Sequence, residues 1–152
     1  MNIGLLEDNP AILDYLSIAL RLAGHHVYSY PESTPLLETL QRAVTSPQPL
    51  PFDLLIIDLL LPGPISGLET IRRVQQSIAF ERLPIIIISA ISQDELEQVK
   101  INLPHIPLLR KPFKMHTLLQ LLQELKGPRG RTQPERLQDE HSPNRPAQNG
   151  WV

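Results

Sequence analysis

The sequence predicts an α/β fold: a doubly wound, five-stranded parallel sheet with five helices, the flavodoxin-like three-layer sandwich. Three observations carry this. Five short apolar runs recur along the chain, and most are continuous rather than alternating in polarity, as strands covered on both faces require. Segments of helical period separate the runs. The two kinds of segment alternate as successive βα repeats. Right-handed crossovers between parallel strands then leave few topologies, and the doubly wound order 2-1-3-4-5 is the expected one.

The first strand is expected over residues 3–6 and ends at Glu7-Asp8. The helix after it opens at Asn9, a capping residue, with Pro10 in its first turn and Gly24 as its stop. Ile12, Leu13, Leu16, Leu20 and Ala23 form its apolar stripe. Residues 27–30 read as the second strand and 34–44 as the second helix. The proline-rich stretch 46–51 reads as a stiff surface connection. Residues 54–57 form the third strand, and Asp58 follows at once. Ser66 with Glu69, and Ser92 with Glu95, each match a capping box that opens a further helix. The fourth strand covers 85–88, the fifth 106–109, and the last helix 114–126, stopped by Gly127.

The chain has 152 residues, enough for one domain with a substantial core. That domain is assigned to residues 1–126. Residues 127–152 are rich in Pro, Arg, Gln, Asn and acids and nearly lack aliphatics, so they are expected to be disordered, with Trp151 exposed. A net charge of −2 gives no global field favouring nucleic acid or anionic membrane, so neither is an expected direct partner. The lack of cysteine excludes disulfides, thiolate catalysis and Cys-based zinc sites, and fits a reducing compartment. The first residues do not form a signal peptide. No apolar stretch approaches the ~18 residues that span a bilayer. A cytoplasmic location is expected. His25, His26, His105, His116 and His141 show no ligand spacing and read as structural or solvated.

Asp58 sits at the carboxyl end of a buried parallel strand, where ligands of open α/β sheets bind. Glu7-Asp8 end the first strand, and Lys111 follows the last. Acids at two strand ends and a lysine at a third form a candidate site for a divalent metal and a phosphoryl group.

The order Glu7-Asp8, then Asp58 with Leu-Leu-Leu-Pro-Gly, then Ser89-Ala90, then Lys111-Pro112-Phe113 resembles the receiver domain of two-component response regulators. The resemblance covers about residues 2–126, and its motifs are specific as a set. It implies that Asp58 is the nucleophile that becomes an acyl phosphate. It implies Mg²⁺ held by Asp8, Asp58 and the backbone carbonyl of Leu60, with Glu7 helping through a water. Lys111 would place a point charge on a phosphoryl oxygen, and Ser89 a hydroxyl donor. The Lys111-Pro112 bond would be cis and turn the lysine inward. The donor would be a sensor histidine kinase or a phosphotransfer protein. The face of the fourth helix, fifth strand and fifth helix would then change its affinity for a partner or for a second copy, as a homodimer. On this reading the protein is a phosphoacceptor and not a turnover enzyme.

Three departures from the family stand out. The loop after Asp58 runs Leu59-Leu60-Leu61-Pro62-Gly63-Pro64-Ile65-Ser66-Gly67 and reaches its last glycine one residue late, with Pro64 as the extra residue. The switch position on the last strand, an aromatic in the family, is Leu108, which reads as plain core. Leu60 and Ile91 flank the path of a hydrolytic water, and neither side chain can hold one, so slow self-dephosphorylation is expected. Two alternatives therefore stand beside the switch: a phosphorylation-independent interaction module on the same fold, and the receiver part of a longer DNA-binding regulator. A haloacid-dehalogenase-like phosphatase needs a second acid two residues after the nucleophile, and Leu60 occupies that place.

Overall fold

In the computed structural model, which describes residues 1–126, five parallel strands form one sheet in the order β2-β1-β3-β4-β5. The strands are β1 (Asn2–Leu6), β2 (His26–Tyr30), β3 (Leu54–Asp58), β4 (Ile85–Ser89) and β5 (Leu108–Arg110). Five helices alternate with them: α1 (Pro10–Leu22), α2 (Ser33–Thr45), α3 (Gly67–Gln76), α4 (Gln93–Asn102) and α5 (Met115–Leu125). The predicted fold class and strand order both stand. The expected disordered segment, with Trp151 and His141, lies outside the described residues.

Two apolar layers sandwich the sheet. Alternate residues of β3 supply both, because successive strand side chains point to opposite faces. Leu55 and Ile57 pack with Leu36 and Leu40 of α2, Ile71 and Val74 of α3, and Leu96 of α4. Leu54 and Ile56 pack with Leu16 and Leu20 of α1 and Leu118 and Leu122 of α5. Every residue of β3 and β4 is buried, which is why both read as unbroken apolar runs. Met115 and Leu119 also lean on this second layer, so the broad stripe of α5 is largely core. Leu108 packs against the first layer, as a core residue would.

The starts of α1, α3 and α4 are capped by side chains. Asn9 Oδ1 accepts from the backbone N–H groups of Ala11 and Ile12, which caps α1. Ser92 and Glu95 form a complete capping box at α4. Ser66 caps α3 by accepting from the N–H of Glu69, but the reciprocal half of that box is missing. Glu69 turns instead to Arg72 and Arg73, which hold its carboxyl below the usual range. A Ser92→Ala substitution is expected to cost about 1 kcal/mol, read from a denaturant melt.

Most boundaries fall within a residue of expectation; the start of β5 and one added turn differ more. β5 starts at Leu108 rather than 106, since Pro107 has no N–H and Ile106 closes a turn onto the Leu103 carbonyl. A single 3₁₀ turn, Ile78–Phe80, follows α3. Three residues carry no period that a sequence pattern would show.

Candidate functional site

Strand register brings the predicted residues to one edge. Leu6 of β1 pairs with Ile57 of β3, so Glu7 and Asp58 come level as the two strands end. Asp58 pairs with Ile88 of β4, one residue before Ser89. Ser89 pairs with Arg110 of β5, one residue before Lys111, and the Lys111 N–H donates to the Ser89 carbonyl at 2.8 Å. Parallel strands thus present Glu7, Asp8, Asp58, Ser89 and Lys111 together at their carboxyl ends, from four separate stretches of the sequence.

Glu7 and Ser89 are fully buried, and Asp58 is only 3% exposed. The Lys111 ammonium lies between the two buried acids. Its Nζ donates to Asp58 Oδ2 at 2.7 Å and to Glu7 Oε2. The second oxygen of Asp58 accepts from the Leu60 N–H at 3.0 Å, and that of Glu7 from the Asn9 N–H at 3.0 Å. The Lys111-Pro112 peptide is cis. Burial pushes the Glu7 carboxyl up, against the pull of the Lys111 hydrogen bond. Burial draws the Lys111 ammonium down, but hydrogen bonds to Asp58 and Glu7 outweigh it and hold the ammonium above its ordinary range. A lysine so placed stays charged.

Carboxylate oxygens of Glu7, Asp8 and Asp58 all lie within 4.8 Å of one another. Hard divalent cations take oxygen ligands, and Mg²⁺ binds them at about 2.0–2.1 Å. Three such donors, one of them on half-exposed Asp8, fit that ion and leave room for its waters. Ser89 Oγ is buried and has no hydrogen-bond partner among the described residues. A buried hydroxyl without a partner is costly, and a phosphoryl oxygen would satisfy it. No histidine joins this cluster among the described residues.

Gly67, the first residue of α3, is a positioning residue that the sequence did not reveal. A Cβ there would fall 1.9 Å from the Asp58 carbonyl oxygen and 2.7 Å from Leu59 Cα. The start of α3 therefore packs directly on the peptide that carries Asp58. Between them the loop turns at Gly63, which has φ +101°, a value L side chains rarely adopt. The loop is tied across to α2, where buried Ser33 Oγ donates to the Ile65 carbonyl at 3.0 Å.

Comparison with known proteins agrees with this arrangement. Residues 3–123 match the family model of the response regulator receiver domain. The chain is 32% identical over 115 residues to the sensor histidine kinase TmoS of Ectopseudomonas mendocina, which is 75% of this chain and 11% of that protein. It is 36% identical over 98 residues to the phosphate regulon transcriptional regulatory protein PhoB of Rhizobium meliloti, 64% of this chain and 39% of that protein. The chain thus spans well under half the length of either relative. Among solved structures, a receiver domain of a sensor histidine kinase from Pseudomonas aeruginosa PAO1, with magnesium ion coordinated in its active site cleft, superposes with a TM-score of 0.68 at 25% identity, over 84% of this chain and 98% of that one. A chemotaxis protein CheY4 of Vibrio cholerae superposes with a TM-score of 0.65 at 25% identity, over 82% and 97%.

Proposed function

The chain belongs to the response regulator receiver domain family of two-component systems, and on that premise we propose that residues 1–126 are a phosphorylation-dependent switch with Asp58 as its acceptor. The observation that carries this reading is the ion cluster itself: a buried carboxylate, Asp58, held at 2.7 Å by Lys111 and grouped with Glu7 and Asp8. An Asp58 oxygen attacks phosphorus on a phosphohistidine of a sensor kinase or phosphotransfer protein. The P–O bond forms, the P–N bond breaks, and the imidazole leaves with its electron pair and takes a proton. Lys111 already lies against the attacking carboxylate and neutralises charge that moves to the phosphoryl oxygens. Ser89 Oγ, without a partner in the resting site, donates to one of those oxygens. Asp8, Asp58 and the Leu60 carbonyl would hold Mg²⁺, with Glu7 through a water, and the ion when bound supplies further charge neutralisation. The protein turns over no substrate of its own beyond this self-transfer.

The output face is α4, β5 and α5, read by a partner or by a second copy. Leu108 packs partly buried against the first apolar layer and carries no ring, so readout does not run through an aromatic ring at that position. This same packing is what favours the second reading, a receiver-fold interaction module that works without phosphoryl transfer.

The test is incubation with Mg²⁺ and acetyl phosphate, followed by intact mass, beside an Asp58→Asn chain. One added phosphoryl group is expected, and none in the variant. No gain from acetyl phosphate and none from a phosphorylated histidine donor would move the assignment to the interaction module.

The acyl phosphate should also be long-lived. Leu60 is 52% exposed at the mouth of the site and Ile91 is buried, and neither side chain can orient a water. A half-life of minutes or more is expected with Mg²⁺ and no phosphatase, shortened in Leu60→Asn. Decay within seconds in the unaltered chain would contradict this.

A further inference from the structure

Helix α1 carries a second apolar stripe besides the one that meets the sheet. Leu16 and Leu20 are buried in the core. Ala11, Tyr15, Ile18 and Leu22 follow one another at intervals of four, three and four residues, the spacing of a single helix face, and all are exposed. Tyr15 and Ile18 are more than half exposed, and Leu22 reaches 84%. Single exposed aliphatics are ordinary, but a continuous row of them marks an interaction surface. Beside the amino-terminal half of the stripe lies an open hollow of about 390 Å³. Ile12, Tyr15 and Leu16 wall it on one side, Pro112 and Phe113 on the other, and Lys111 is the one charged residue that lines it.

This face is complementary to itself. Asp14 and Arg21 flank the row on the same side, and both are exposed. They are equally distant from a point between Ser17 and Ile18, about 5 Å each way at 1.5 Å per residue. Asp14 has no hydrogen bond or ion pair among the described residues. Arg21 forms no ion pair among them, and it gives one amino group to the Val27 carbonyl at 3.0 Å, which leaves further N–H donors free. A two-fold axis through that midpoint would lay α1 antiparallel on a second α1. Each Asp14 would then stand level with the Arg21 of the other copy. Each Leu22 would stand level with the gap between Ile12 and Tyr15, where the hollow opens. The row thus supplies both a projecting side chain and a recess for it, as an isologous contact requires.

We propose that α1 pairs with the α1 of a second copy of this chain about a two-fold axis near Ile18, with Leu22 of each copy in the hollow beside Phe113 of the other. Ile18 meets its own counterpart at the centre, away from water. Two Asp14–Arg21 pairs close one side of the contact and fix its antiparallel sense, since a parallel pairing would set like charges together. This surface is separate from the α4, β5 and α5 face. Pairing needs no phosphoryl group, so its test is independent of the one for Asp58. A contact built on one helix and a loop is small, so the dimer should be weak and should form with rising concentration.

Sedimentation of the full 152-residue chain, without Mg²⁺ or phosphodonor, between about 1 μM and 1 mM tests this. The mass should climb from 17.2 kDa towards twice that value. Ile18→Glu, at an exposed position that leaves the fold intact by far-ultraviolet dichroism, should weaken pairing roughly a hundredfold or more, because two carboxylates would meet at the centre. Asp14→Arg and Arg21→Glu should each pair poorly alone, since each sets like charges against each other. An equal mixture of the two should pair roughly tenfold or more tightly than either alone, because every facing charge is then opposite. A chain that stays monomeric throughout would overturn the proposal. So would a dimer that Ile18→Glu leaves intact, which would place the contact on another face, or a mixture no tighter than its components.

Discussion

A Lys111→Met chain is expected to lose about 3 kcal/mol of stability at neutral pH without Mg²⁺, as removal of one partner from a buried ion pair usually does. The loss comes from what stays behind. Glu7 and Asp58 are both buried, and Lys111 is the cation that hydrogen-bonds each of them. With the lysine gone, burial and the Asp58 charge both push the Glu7 carboxyl further up, and nothing from Lys111 opposes them. An acid whose folded value lies above its unfolded one stabilises below the unfolded value and loses that contribution as pH rises through the folded value. The variant should therefore regain stability on acidification, more than the unaltered chain does. Added Mg²⁺ should also restore more of its stability, because a dication replaces the missing charge. Chemical denaturation at two pH values, with and without Mg²⁺, checks all three. Equal stability of the two chains at neutral pH would show that the acids are not desolvated as described.

Gly67→Ala should be as damaging for a different reason. The new methyl carbon would lie 1.9 Å from a backbone carbonyl oxygen, and neither side is a flexible side-chain tip. Either α3 or the end of β3 must move. Overpacking of this kind costs about 1–3 kcal/mol, and more where backbone must shift. The end of β3 carries Asp58, so the displacement is expected at the acceptor. Phosphoryl incorporation from acetyl phosphate should fall by well over tenfold, in a chain whose far-ultraviolet dichroism still shows the fold. A variant that melts earlier yet incorporates phosphoryl at the normal rate would restrict Gly67 to packing.

The strands were readable because both faces of the sheet are covered. Burial on two sides forces runs such as Leu54 to Ile57 and Ile85 to Ile88, which admit few other readings. The acids and Lys111 were readable because parallel strands end at one edge, so residues that follow separate runs must meet. The features that escaped depend on contacts between distant parts. Glu69 had the spacing of a capping box, but two nearby arginines offered a stronger partner. The role of Gly67 arises only once α3 lies on the end of β3. The full burial of Glu7 is a product of tertiary packing, which spacing does not encode. The start of β5 moved because Pro107 withholds a donor just where a ladder would begin.

The tie between Ser33 and the Ile65 carbonyl has a practical side. It fixes the far end of the loop that leaves Asp58, and Gly67 clamps the start of α3 just beyond it. The stretch from Pro62 to Pro64 is thereby anchored on its α3 side, and it turns at Gly63 with all three residues exposed. That makes it a place to attach a reporter. A small dye on a cysteine introduced at position 64, in a chain with no other cysteine, would label one site only, on the loop that leaves Asp58. Its signal would follow the arrival and departure of the phosphoryl group in real time, while the residues that handle that group stay untouched.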